Sequence, residues 1–299
     1  FSSHMDTVTP GIGVKPIVDE ANGIIKSDGT TILGSDDKAG IAAILEGLRY
    51  INENNIEHTD IQVVFSICEE CGLVGAKNLD YGKIDSEYAF ILDSGGSPGE
   101  IIVKAPAQDV INVKILGKTA HAGLEPEAGI SAIMVAARAI ENMNLLRIDE
   151  ETTANIGIIN GGTATNIVTG EVNIVAEARS LKENKLDVQT KHMVETFEKA
   201  AKDFGAQIEI DVNRAYTPID VSEDSEIIKL AKKAFSNLGI EGHTESTGGG
   251  SDTNILSKNG IEAITLGIGM KNAHTLSEHI AIKDLYDSAK MVVEIIKEA

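Results

Sequence analysis

Short apolar runs alternate with helical patterns along most of this chain, and that alternation restricts it to an α/β fold. Residues 61–68, 88–93 and 261–268 are strand-length apolar runs bounded by Gly, Asp or Ser. Residues 36–52 instead place apolar side chains at 41, 44, 45 and 48, the spacing of one helix face. The last stretch, 283–299, does the same at 285, 289, 292, 293 and 296, so the chain closes on an amphipathic helix.

The middle has its own rhythm. Strands are expected at 110–116, 153–159, 171–178 and 207–212, with helices at 129–142 and 185–204, giving the order β-α-β-β-α-β of a ferredoxin-like unit. The pairs Ala105-Pro106 and Thr217-Pro218 flank it, and a proline holds the preceding residue extended. The sequence therefore reads as one α/β domain from residues 1–107 and 217–299, interrupted by a second domain at 108–216.

Composition decides which partners such a fold can take. The 46 Asp and Glu outweigh the 26 Lys and Arg, for a net charge of −20, and no basic run offers a patch for nucleic acid or an anionic membrane. Partners are expected to be small molecules, cations or metals. No apolar run approaches the roughly 18 residues of a membrane span. Two cysteines exclude a disulfide-built scaffold and fit a reducing compartment, so the cytoplasm is the expected location.

Acidic residues gather where α/β proteins place ligands, at the ends of strands. Asp93 ends the 88–93 run, and Glu69 and Glu70 follow the 61–68 run, where adjacent carboxylates repel unless a cation or solvent relieves them. Asp36 and Asp37 precede the first helix; capping accounts for one of them, not both. His4 and Asp6 share a face of an extended segment, an arrangement in which a carboxylate orients a ligand imidazole, although Ser-His-Met is also a familiar expression scar. His121 sits in a glycine-flanked turn, His274 and His279 follow an apolar run, and His58, His192 and His243 read as solvated. Cys68 and Cys71 form a lone C-x-x-C, a weak zinc signal that reads better as plain thiols.

Seven motifs in order, SHMDT (3–7), GSDDKAG (34–40), ICEECG (67–72), ILDSGG (91–96), GKTAHAG (117–123), GGGSDTN (248–254) and NAHTLSEHI (272–280), resemble the di-zinc exopeptidase family. That family includes peptidase T, glutamate carboxypeptidases, aminoacylases and succinyl-diaminopimelate desuccinylase. The resemblance spans essentially the whole chain, and residues 29–40 and 67–80 look closest to peptidase T-like tripeptide aminopeptidases. It implies a mixed-sheet catalytic domain with an inserted lid and dimerisation domain. It also implies the metal ligands His4, Asp36, Glu70, Asp93 and His274, with Asp36 bridging two ions. His274 is preferred to His279 because the family's ligand His is followed four residues later by Glu, here Glu278.

The same resemblance makes Asp6 the orienter of His4, Glu69 the general base and His121 the oxyanion donor. Asn166, Arg179, Gly249 and Gly250 fall at substrate-contacting positions, although an ordinary salt bridge explains Arg179 equally well. The implied cofactors are two divalent ions, zinc first, with cobalt or manganese as alternatives. Such ions lower the pKa of bound water towards about 7. The implied reaction is metal-dependent release of N-terminal residues from tripeptides by a homodimer. An aminoacylase or carboxypeptidase is the alternative, and a non-catalytic metal- or peptide-binding homologue a more distant one. Family members carry several dozen residues before the first ligand motif, so the sequence reads as an enzyme lacking its beginning.

Overall fold

Burial on both faces explains why the strand Tyr88–Ser94 reads as a continuous apolar run rather than an alternating one. Phe90 and Leu92 point into one core, and Ala89 and Ile91 into another on the opposite face. The computed structural model describes residues 1–299 and divides them into two units: Phe1–Ala105 with Ile219–Ala299, and Pro106–Pro218. The second unit ends on the two flanking prolines, just outside the expected 108–216.

The first unit is built on a mixed seven-stranded sheet. Its path runs Ile219–Asp220, Glu100–Ala105, Glu262–Gly267, Tyr88–Ser94, Ser2–His4 and Val64–Ser66, with His243–Ser246 pairing Glu100–Ala105 off the path. Ser2–His4 pairs parallel with both Val64–Ser66 and Tyr88–Ser94, so these three strands end at the same edge. The helices Ser35–Glu53, Glu226–Asn237 and Ile282–Glu298 cover one face and enclose a core that includes Ile44, Leu92, Phe235, Ile264 and Val292. Leu256, from the helix Asp252–Lys258, packs with Ile91 on the other. A small antiparallel sheet of Ile17–Asp19, Ile24–Lys26, Met270–Lys271 and His279–Ala281 went unexpected, because strands of two or three residues are too short to show a period.

The second unit is an antiparallel sheet in the order Gln207–Tyr216, Ala107–Leu116, Glu171–Ser180, Thr152–Gly161, Leu146–Arg147. Glu171–Ser180 alternates strictly, with Val172, Ile174, Ala176 and Ala178 buried against the helices Ala132–Glu141 and Glu183–Phe204, where Met193 and Phe197 fill the core. The mixed α/β class is thus as read from the sequence, and the β-α-β-β-α-β order differs only by the added two-residue strand Leu146–Arg147.

Most boundaries shift by a few residues from expectation, and three differences have a visible cause. The 61–68 strand shrinks to Val64–Ser66, because its partner Ser2–His4 offers three residues to pair with. The 129–142 helix starts at Ala132, since Ile130 bridges Lys118 and the Ser131 hydroxyl caps the helix by accepting from Met134 N. At the first helix, Asp36 and Asp37 lie inside Ser35–Glu53 but take non-helical angles (φ −82°, ψ 101° and φ −121°, ψ 32°), and neither caps it.

Candidate metal centre

The shared edge of the three parallel strands gathers the acidic motifs. His4 ends its strand, Asp93 lies at the end of Tyr88–Ser94, and Glu69 and Glu70 follow Val64–Ser66 through a turn closed by Gly72 N and Leu73 N donating to Glu69 O. Asp36 arrives from the start of the first helix. Close packing permits this: a Cβ on Gly40 would lie 2.4 Å from Leu92 O and 2.7 Å from both Asp37 Oδ1 and Ser3 Oγ, so only glycine lets the helix sit against the strands here. His274 comes from the loop between Met270–Lys271 and His279–Ala281.

These side chains converge through Asp36. Its Oδ1 lies 3.0 Å from His4 Nε2 and its Oδ2 lies 3.2 Å from His274 Nε2. Glu70 Oε1 is 2.8 Å from the same His274 nitrogen, and Asp93 Oδ1 is 3.8 Å from His4 Nε2. Potential donor atoms of His4, Asp36 and Asp93 fall within one metal-sized group, those of Asp36, Glu70 and His274 in another, and those of His4, Glu69 and Glu70 in a third. The five residues expected as ligands are therefore together, and Glu69 is beside them. His279 is not in the cluster; its Nδ1 faces Ser277 O.

The supporting contacts add detail that the sequence did not carry. His4 Nδ1 lies 3.1 Å from the main-chain oxygen of Asp6 and 3.5 Å from its carboxylate. The Asp6 carboxylate accepts the backbone N–H groups of Glu69 and Glu70, at 3.0 and 3.2 Å. It therefore holds the turn carrying both glutamates as well as facing His4. Asp37 is buried and accepts from His4 N at 3.0 Å and from the Ser3 hydroxyl. Buried Glu278 accepts from Gly34 N, Ser35 Oγ and Asp36 N. Asp252, within GGGSDTN, is buried and accepts from Ser66 Oγ, and its charge acts on Glu69, a part that the expected glycine contacts of this motif do not include.

Crowded, buried carboxylates shift the proton equilibria of several of these groups. Burial raises Glu69 to about 8, and the charges of Asp252, Glu70 and Asp36 add to the effect against the attraction of His4. Burial opposes a charge on His4, yet its hydrogen bond to Asp36 and the negative charges of Asp37 and Glu69 prevail and raise it to about 9. Burial, then repulsion from Asp37, Asp36 and Glu69, holds Asp93 far above the ordinary carboxylate range. Glu70 rises through burial and Asp36. Two imidazoles and several oxygens around a shared carboxylate form a donor set suited to borderline or hard divalent cations.

Residues 1–298 match the profile of peptidase family M20/M25/M40. The chain belongs to that family. Its enzyme class is accordingly that of a metallo-exopeptidase, as expected. The member in hand is similar to the uncharacterized protein YqjE of Bacillus subtilis strain 168, at 49% identity over all of this chain and 80% of that protein. Among solved structures it is similar to the aminopeptidase PepT of Bacillus cereus (47% identity, TM-score 0.88) and to a tripeptidase of Staphylococcus aureus (46%, TM-score 0.94). Each alignment covers 99% of this chain and 79% of that one.

The other residues expected at the site of this M20 chain are divided between the two units. Gly249 lies in the first unit, on a loop where its N–H donates to Thr247 Oγ1; Gly250 is its neighbour. His121, Asn166 and Arg179 belong to the second unit. His121 and Asn166 adjoin, since Ala122 N donates to Asn166 O and His121 bridges Ile167, and both are exposed. Arg179 donates from Nε and a terminal nitrogen to Glu177, at 3.1 and 3.0 Å. Cys68 and Cys71 are free thiols. His192 is only half-buried and accepts from Asn144 N, so it is more than a solvated side chain.

Proposed function

We propose that this protein binds two divalent metal ions through His4, Asp36, Glu70, Asp93 and His274, with Asp36 shared, and hydrolyses short peptides. The observation that carries the reading is the Asp36 carboxylate, which presents one oxygen to each of two histidines. Zinc, cobalt and manganese all suit these donors. Bound ions would supply Lewis-acid polarisation of the scissile carbonyl and an activated water.

The chain's own residues have distinct parts. Glu69, which stands with His4 and Glu70, is assigned the general base that takes a proton from the attacking water and returns it to the leaving amine. Asp6 holds the Glu69-Glu70 turn by two backbone hydrogen bonds and faces His4. Exposed His121, next to Asn166, is assigned the donation to the developing oxyanion. Asn166, Arg179, Gly249 and Gly250 are assigned to substrate contact.

Similarity to an aminopeptidase PepT and to a tripeptidase supports release of N-terminal residues from tripeptides. A homodimer through the second unit is supported by the strand Thr152–Gly161, whose outer edge pairs with Leu146–Arg147 only at Thr153 and Ala154 and carries half-exposed Ile158 and Ile159. No helix is long and apolar enough to cross a membrane; two free thiols fit the cytoplasm.

The test is to assay metal-loaded and chelated protein on tripeptides and to identify the released residue. Chelator-sensitive release of the N-terminal residue is expected. Release of the C-terminal residue, or deacylation of N-acyl amino acids, would overturn the substrate assignment, and activity indifferent to chelation would overturn the metal.

A further inference from the structure

Asp36 can serve two histidines only if the turn that carries it and the loop that carries His274 are fixed against each other, although they lie more than 200 residues apart in sequence. Neither fixes itself. The turn runs through Gly34 at φ 73° and then through the non-helical Asp36 and Asp37. The loop holds Asn272 and His274 at φ 53° and 65°, left-handed conformations that cost a non-glycine residue energy and persist only when surrounding contacts enforce them. Within the loop, Thr275 donates twice to Asn272 O and Glu278 N donates to Thr275 O, which shapes the loop without attaching it to anything else.

Glu278 makes that attachment. It stands four residues after His274 and its carboxylate is only 1% exposed. Oε2 accepts from Gly34 N at 2.8 Å; Oε1 accepts from Ser35 Oγ at 2.6 Å and from Asp36 N at 3.0 Å. Three donors from three consecutive residues converge on one carboxylate, and the last belongs to Asp36 itself. On the other side of the turn, buried Asp37 makes a corresponding joint to the backbone of His4.

We propose that Glu278 is a positioning residue that joins the His274 loop to the Asp36 turn and thereby sets the half of the metal centre formed by Asp36, Glu70 and His274. This inference rests on the two-metal reading above. Loss of the joint leaves His4, Asp36 and Asp93 held by Asp37 and the strands, while His274 moves away from Asp36 Oδ2. The two ions are therefore affected unequally, which a general loss of stability would not produce.

The experiment titrates metal-free wild-type, Glu278→Ala and Ser35→Ala protein with manganese, following stoichiometry by calorimetry and the magnetically coupled Mn pair by electron paramagnetic resonance. In Glu278→Ala one ion should lose about 10- to 100-fold in affinity, the range for removing a partner that orients a ligand. The other ion should bind nearly as in wild type, and the coupled-pair signal should disappear. Ser35→Ala removes one of the three donors and leaves the carboxylate in place, so it should weaken one ion more than the other, by a smaller factor than Glu278→Ala; it carries the test if Glu278→Ala does not fold. Folded variants that bind both ions as wild type does, or that lose both ions equally, would overturn the proposal alone. Wild-type protein that binds no manganese would overturn the two-metal reading and this inference with it.

Discussion

Asp36 meets His4 through Oδ1, at 3.0 Å, and so leaves its other oxygen for a second histidine. That oxygen lies 3.2 Å from His274 Nε2. A carboxylate split in this way faces both histidines at once.

Ligand substitutions should follow that division. Asp36→Ala should abolish binding of both ions, and His274→Ala should remove one and keep the other. Metal content of purified, folded variants by mass spectrometry gives the answer; two ions retained by Asp36→Ala would exclude a shared ligand.

Glu69 separates chemistry from binding. Its backbone is held by Asp6, and its side chain lies with His4 and Glu70 without belonging to the five assigned ligands. Glu69→Gln should lower kcat by about 10²- to 10⁴-fold, the usual contribution of a general base, with metal stoichiometry unchanged. A variant that loses metal along with activity would make Glu69 a ligand instead.

Without metal, rising pH should destabilise the protein. His4 rises from 6.5 to about 9 and Glu69 from 4.5 to about 8, so the folded state binds more protons than the unfolded state across these windows. Stability is then fullest below about pH 4.5 for Glu69 and pH 6.5 for His4, and is lost as pH passes 8 and 9 respectively. Chelated protein should melt at progressively lower temperature from pH 5 to pH 9. Metal uptake must displace the His4 proton, so calorimetry at pH 7 in buffers of different ionisation heat should show proton release on binding. A melting temperature that climbs over this range, or uptake without proton release, would contradict the electrostatics described for the centre.

Gly40→Ala tests the packing beneath the site. The new methyl would meet Leu92 O, Asp37 Oδ1 and Ser3 Oγ, all at less than 3 Å and two of them in the network that holds His4. A cost of about 1–3 kcal/mol in urea unfolding is expected for such overpacking, with weaker metal binding. Unchanged stability would mean that the helix can draw back from the strands.

The sequence by itself determined the α/β class, the β-α-β-β-α-β order of the inserted segment and the presence of acidic residues at strand ends. These follow from periodicity and composition, which each residue shares with near neighbours. Its motifs, through their resemblance to a family, also singled out the five residues that the fold brings together. Other features had no local signal. The Glu278 carboxylate reaches Gly34, Ser35 and Asp36 from the far end of the chain, the Asp6 carboxylate turns towards the backbone of Glu69 and Glu70, and Asp37 leaves the helix start to hold His4. Only the tertiary structure decided these contacts, because the donors a buried carboxylate meets depend on how distant segments pack, and burial penalises a carboxylate that meets none.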